Sequence, residues 1–407
     1  MNFDHAWPAG HWDWPIHLSH KHGLKAGPMI FLGGQVDLDP QGRVLHAGDL
    51  ERQTDAVMAN ISKVLAEFGA GMGDLVKLVA YYVSDGGVDE AALLGRMAKA
   101  LPPGAGPAVS AVPLPALAYR GMLVEIEAVA MRGRDGTAMP KIVADPSGLA
   151  KLPAPFSHGL KCGDMIFVGG QDPLDAQGRL EHPGDIIGQM TGVMDRIALV
   201  LGRLGADFGD VVKIKNWYRG EGHFEDWAGA ARVRAAYFRE PGPAATGIPL
   251  PRHWRKGHAI RSDAIAMRGS DGARLAKTHV WPDGHWDWPI HLPYKHGVRC
   301  GNMIFLGGQV ALTPQGVVME PGNLVAQTKI SMEMIRRALE ALGLRLDDSV
   351  KVTAYYQGGA SADQLHANLS IRSGSFTEPG PTSTGVPLPA LAYDGMMIEI
   401  EIVAMAD

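Results

Sequence analysis

Two copies of one octapeptide carry the most conspicuous chemistry in this chain, His11-Trp-Asp-Trp-Pro-Ile-His-Leu18 and His285-Trp-Asp-Trp-Pro-Ile-His-Leu292. Imidazoles and a carboxylate so close together suggest a metal site, with His22 and His296 nearby. The spacing of His11, Asp13, His17 and His22, and of their counterparts, matches no zinc pattern. The expectation is therefore that these histidines cap hydrogen bonds and hold no metal. The indoles are the second resource. Six of the nine tryptophans, Trp7, Trp12, Trp14, Trp281, Trp286 and Trp288, lie in these arms. Indoles need a surface to bury against, and two roles fit. Either the arms lid ligand clefts and stack Trp12, Trp14, Trp286 and Trp288 on a planar substrate, or they strap neighbouring domains together. A third resource is the cationic run Arg252-His-Trp-Arg-Lys256, read either as a solvated hairpin tip or as an anion-recognising patch. Cys162 and Cys300 fall at strand starts without a positive setting, which predicts inert packing and no nucleophilic thiolate.

The elements that must position these groups come in three copies. Met-Ile-Phe-Leu/Val-Gly-Gly-Gln occurs at Met29–Gln35, Met165–Gln171 and Met303–Gln309, spaced 136 and 138 residues apart. Asp74-Leu-Val-Lys77 and Val112-Pro-Leu-Pro115 recur in step at Asp210, Ile248, Asp348 and Val386, so the chain repeats one unit. Units 1–138, 139–274 and 275–407 follow, with boundaries in Gly- and Asp-containing stretches. The octapeptide is missing from the second. Within the first, Lys25–Val36 reads as a strand, and Asp49 as the N-cap of a helix over Leu50–Phe68 that Gly69 stops. Asp74–Val83 reads as a strand and Val88–Leu101 as a helix, with Ala108–Leu117 and Met122–Met131 as a closing strand pair. The order β-β-α-β-α-β-β predicts an α+β layer whose open sheet face needs cover.

Composition narrows the function. The chain has 407 residues, a formal net charge of −5 and two cysteines. No global basic field is present to hold a nucleic acid, and no disulfide framework can form, which suits a reducing compartment. Met1–Gly10 lacks the pattern of a leader, and no apolar run is long enough to span a bilayer, so a cytoplasmic protein free of membrane is expected. No phosphate-cradling loop precedes a helix, so no cofactor is expected.

Gly301-Asn-Met-Ile-Phe-Leu-Gly-Gly-Gln309, Gln327-Thr328, Asp348-Ser-Val-Lys351, Phe376-Thr-Glu-Pro379 and Ile398-Glu-Ile-Glu401 resemble the reactive-intermediate deaminase family, also called Rid or YjgF-like. The pattern recurs in all three units. The resemblance implies three tandem chorismate-mutase-like domains forming an intramolecular pseudo-trimer, with sheets facing a central barrel and ligand clefts between adjacent domains. Further self-association of such pseudo-trimers is left open. The family's archetype hydrolyses imines and enamines to ketones and ammonia, with an Arg for the substrate carboxylate and a last-strand Glu that manages water. The Arg slot here holds Val109, Ala245 and Ser383, the last followed by Thr384, so the usual carboxylate clamp is gone from that strand. The Glu slot holds Glu125, Arg261 and Glu399. Glu125 and Glu399 are the acid/base candidates, against a plainer reading as outward residues of an ordinary strand. Arg261 would meet a ligand anion or a neighbouring domain's Glu. The family's Tyr is matched by Tyr294, with His20 and Phe156 in the other units, so the three clefts should differ.

The reading that follows is a Rid-type hydrolase of C–N bonds in a small planar or aromatic imine or enamine, with Glu399, Glu125 and Tyr294 at the reaction. Arg261, His20, Ser383, Thr384 and the four arm tryptophans would line the substrate. The alternative is a non-catalytic metabolite-binding or regulatory protein on the same scaffold. A chorismate-mutase-like rearrangement ranks last, for want of cations in the clefts.

Overall fold

The computed structural model describes residues 3–104 and 106–406. Helix α1 (Leu50–Ala66) shows why the units fold as they do. The Asp49 side chain accepts from the Arg52 N–H, Val57, Ile61, Val64 and Leu65 are buried at helical spacing, and Gly69 leaves the helix at φ +64°. The rest of the first unit is β1 (Asp4–Ala6), β2 (Gly23–Ala26), β3 (Met29–Gln35), β4 (Leu75–Val83), α2 (Glu90–Ala98), β5 (Ala108–Leu114) and β6 (Val124–Met131). The second holds β7 (Lys141–Ala144), β8 (Gly159–Cys162), β9 (Met165–Gln171), α3 (Ile186–Arg203), β10 (Val211–Arg219), α4 (Phe224–Ala235), β11 (Ala244–Leu250) and β12 (Ile260–Met267). The third holds β13 (Lys277–Val280), β14 (Gly297–Cys300), β15 (Met303–Leu306), β16 (Gln309–Val310), α5 (Leu324–Glu340), β17 (Ser349–Gln357), α6 (Ala362–Ser373), β18 (Thr382–Leu388) and β19 (Ile398–Met405).

Three details depart from the sequence expectation. Lys25–Val36 is two antiparallel strands, because Gly27 turns the chain at φ +58°. An additional strand opens each unit and pairs with the next one, as Asp4 does with Lys25. The last two strands are not neighbours, since β4 lies between them, parallel to β5 and antiparallel to β6. The result is a mixed sheet of order β1-β2-β3-β6-β4-β5 with both helices on one face, six-stranded in the first two units and seven-stranded in the third, where β16 also pairs with β19.

The other sheet faces cover one another. Met29, Phe31, Met165, Phe167, Met303 and Phe305 share one apolar cluster, and Tyr81, Trp217 and Tyr355 share a second. Isolated parallel bridges Ala108–Ser157, Ala244–Lys295 and Thr382–Lys21 join first to second, second to third and third to first unit. Only these isolated bridges link the three sheets in β pairing; among the described residues the sheets stay separate and form no closed barrel, which corrects that part of the expected architecture. Buried ion pairs repeat the cycle: Lys77 reaches Asp263 at 2.5 Å, Lys213 reaches Glu401 at 2.8 Å, and Lys351 reaches Glu127 at 2.9 Å.

Candidate active site

The Gly-Gly pair on the third strand of each unit creates the clefts. A Cβ on Gly33, Gly169 or Gly307 would lie 2.6–2.7 Å from the main-chain oxygen of Ser383, Val109 or Ala245, so adjoining units meet backbone to backbone there. The second glycine makes room for the last-strand acid. A Cβ on Gly34 or Gly308 would stand 1.7 Å from Glu125 or Glu399 Oε1.

The cleft between the second and third units is a cavity of about 720 Å³ including its mouth. Glu399 projects into it from β19, and its carboxyl titrates near 8, because burial raises it and the Glu401 charge adds to this. Glu401, two residues on, behaves oppositely: burial works against its charge, yet Lys213 and Lys215 hold it well below the ordinary carboxylate range. Both are buried, which removes the outward-facing reading of this strand. Tyr294 lies in the wall, where its hydroxyl accepts from Arg234 Nε at 2.7 Å and its ring faces the guanidinium at 4.8 Å. Tyr218 Oη, Trp227 Nε1 and Tyr393 Oη, all on cavity-lining residues, are buried without a protein partner. Unmet donors of this kind want a ligand or water. Trp286 and Trp288 complete an aromatic wall, with ring centres 4.9 Å apart.

The arm reaches this position through the repeat motif. His285 Nε2 donates to Gln309 Oε1 at 2.7 Å, His296 Nε2 donates to Trp286 O at 2.9 Å, and Trp288 stacks on the His296 ring. The first arm is built alike around His22, with His11 on Gln35 and Trp14 stacked on His22. Trp12 and Trp14 line a cleft, and the same arm straps the third unit through His17 and Lys21 on Glu378 and Ser19 on Ser373. Among the described residues, no group of three or more His, Cys, Asp or Glu side chains is arranged to hold a metal ion. Cys162 and Cys300 are buried, with thiols pushed up by burial.

The cleft between the third and first units is smaller, about 400 Å³. Glu125 occupies it, again titrating near 8 through burial and the Glu127 charge. Ser383 lines it and accepts from Arg372 Nη1 at 2.8 Å, whereas Thr384 faces the molecular axis and accepts from Lys351 at 3.1 Å. His20 is fully buried against Pro381 O, with burial and Arg372 pulling its pKa down to about 3, so it is a neutral packing group behind the cleft.

The cleft between the first and second units has the opposite polarity. Arg261 fills the acid's place and makes forked contacts to Asp172, at 2.7 and 2.6 Å, and to Glu90 of the first unit, at 3.0 and 2.6 Å. It also donates to Ala111 O. This is the neighbouring-domain pairing, and it leaves no free guanidinium for a ligand.

Arg234 and Arg372 are what reading the sequence missed. Both come from the second helix of a unit, while attention rested on the strand position that had lost its Arg. Their signal was the repeat register, since they lie 138 residues apart, with Ala98 at the corresponding place in the first unit.

Three α+β units in a cycle, with an acid between units in two of three clefts, define a fused pseudo-trimeric scaffold. A profile of the family described as Endoribonuclease L-PSP matches residues 16–132, 150–258 and 289–406, and the chain belongs to that family, three copies in one polypeptide. The 2-iminobutanoate/2-iminopropanoate deaminase of Escherichia coli K12 is 31% identical over 114 residues, 28% of this chain and 87% of that protein. A RutC family protein of Pyrococcus horikoshii is 31% identical over 115 residues, 28% and 86% of the two chains. The 3-aminoacrylate deaminase RutC of Acinetobacter baylyi is 29% identical over 110 residues, 26% and 82%. Among solved structures, a chorismatase aligns over 82% of this chain and 93% of its own at a TM-score of 0.51 and 12% identity, a likeness of fold. Among the described residues no helix is long and apolar enough to cross a membrane.

Proposed function

We propose that the chain is a hydrolase of the imine and enamine deaminase type, working chiefly in the cleft between its second and third units on a small planar or aromatic substrate. The observation that carries this reading is Glu399, a buried carboxyl titrating near 8 and set in an aromatic cavity beside unmet hydrogen-bond donors. At neutral pH such a group is mostly protonated. It gives its proton to the imine nitrogen, and the resulting carboxylate accepts a proton from the water that adds to the imine carbon. The carboxyl then gives that proton to the carbinolamine nitrogen, the C–N bond breaks with its electron pair leaving on ammonia, and the carboxylate takes the carbinolamine hydroxyl proton as the C=O bond forms, so that imine plus water becomes ketone plus ammonia and the acid is restored. Trp286 and Trp288 would stack on the substrate plane, and Arg234, steadied by Tyr294, would take a substrate oxygen. The relatives named as 2-imino acid and 3-aminoacrylate deaminases support C–N hydrolysis as the chemistry. The experiment is ammonia release from freshly generated imines, aliphatic and aromatic, with and without a carboxylate. Aromatic imines should be the best substrates of the wild type; a protein that accelerates the hydrolysis of none would defeat the proposal.

A further inference from the structure

The loop joining β11 to β12 in the second unit is rebuilt relative to its counterparts in the other two. Pro115-Ala-Leu-Ala-Tyr-Arg-Gly-Met122 and Pro389-Ala-Leu-Ala-Tyr-Asp-Gly-Met396 carry one charged residue each where the second unit reads Pro251-Arg-His-Trp-Arg-Lys-Gly-His258 with three. We propose that this loop forms a binding site for a small phosphoryl-bearing anion, distinct from the two acid-bearing clefts. Arg219, from the end of β10, joins Arg252, His253, Trp254, Arg255 and Lys256 around an open pocket of about 750 Å³. Arg252 and Arg255 are held by main-chain carbonyls, Asp85 O of the first unit and Gly178 O, which position the guanidinium groups without neutralising them. Arg255 also lies on the Trp254 ring, 3.8 Å from its centre, which fixes the plane of its fork.

The second observation comes from inside the pocket wall. His253 is only 4% exposed, yet neither ring nitrogen has a protein partner, and Trp254 Nε1 has none either. A neutral imidazole offers one donor and one acceptor, and leaving both unmet in a buried place is unfavourable, so a ligand that meets both is favoured. A protonated phosphoryl group supplies an oxygen acceptor and an O–H donor together, and forked guanidinium donors match its oxygens. A fully ionised carboxylate would meet the forks but not the imidazole's need for a donor.

The location gives this a structural logic. His253 packs on His258 at 4.4 Å, and His258 Nε2 is 3.3 Å from Asp172, which holds Arg261 in the acid's place. The interface in which Arg261 replaces the last-strand acid thus adjoins a cationic pocket. This does not depend on the hydrolase reading, and its test is a binding measurement alone.

Calorimetric titration of the full chain with pyrophosphate, at fixed ionic strength, should show one saturable site. The Arg252→Ala, Arg255→Ala double variant should weaken it at least tenfold, and Arg255→Lys, which keeps the charge and loses the fork, should fall between. Arg219→Gln lies on the end of β10, outside the loop, so it reads the same pocket if the double variant folds poorly. Absence of saturable binding by the wild type would overturn the proposal, as would affinities unchanged in all three variants. Citrate binding as tightly as pyrophosphate would overturn the phosphoryl assignment, and tight binding of single-stranded RNA without binding of pyrophosphate would overturn the small-molecule one.

Discussion

Glu399 occupies the space that a side chain on Gly308 would need: a Cβ there would fall 1.7 Å from Glu399 Oε1. The glycine is therefore part of the site. Alanine at 308 must push the carboxyl out of the cleft, because the backbone on the other side is pressed against Ala245. Gly308→Ala should lose about as much activity as Glu399→Gln, on the order of 10²-fold, with the fold retained by circular dichroism. Gly202→Ala, on an exposed face of α3 with open space around it, should be neutral or stabilising by up to about 1 kcal/mol, which separates crowding from a general intolerance of glycine replacement.

The two raised carboxyls have a signature in stability. Glu399 and Glu125 titrate near 8 in the folded chain against an ordinary value of 4.5. Between those values the native state keeps a proton that the unfolded state has lost, so stability falls as pH rises through this window and levels off above it. Glutamine cannot ionise. The melting temperature of Glu399→Gln should therefore gain on wild type from about pH 5 to pH 8, corresponding to at most about 1.4 kcal/mol per pH unit, and hold its lead above. A difference that does not vary with pH would mean that the native carboxyl is ionised throughout.

Arg261 should behave as a structural cation. Arg261 is buried and bridges Asp172 and Glu90 across two units, and its removal strands the buried Glu90 and the part-buried Asp172 carboxylates. Arg261→Met should cost about 3–5 kcal/mol in chemical denaturation while leaving imine hydrolysis per folded molecule unchanged. A large loss of turnover with normal stability would instead place Arg261 at the chemistry.

Trp288 tests the aromatic wall. Trp288→Ala removes a ring stacked on His296 and facing the cavity. Stacking contributes about 0.5–1.5 kcal/mol beyond burial, so KM for aromatic imines should rise roughly 3- to 10-fold, with kcat less affected and aliphatic imines nearly indifferent. Equal effects on both substrate classes would assign the ring to structure alone.

Much of this was legible in the sequence, for reasons that differ by residue. The helix after Asp49 announced itself through its cap, its apolar spacing and Gly69, all local signals. Glu125 and Glu399 could be located because the repeat supplies three registers of one motif. The strand order could not be read, since insertion of β4 between β5 and β6 is a long-range pairing with no local mark. The sequence also gave no sign that Glu399 and Glu401, two residues apart on one strand, would diverge in charge; that depends on Lys213 and Lys215 reaching Glu401 from the second unit. Thr384 was expected beside the substrate, but strand alternation turns it to the axis while Ser383 faces the cleft.

The most direct test compares wild type, Glu125→Gln, Glu399→Gln and the double variant on the aromatic imine that wild type hydrolyses fastest, with ammonia as the readout. The account predicts at least about a 10²-fold loss in Glu399→Gln, a minor loss in Glu125→Gln, and a double variant no worse than Glu399→Gln by more than that minor loss. Full rate in the double variant would contradict it.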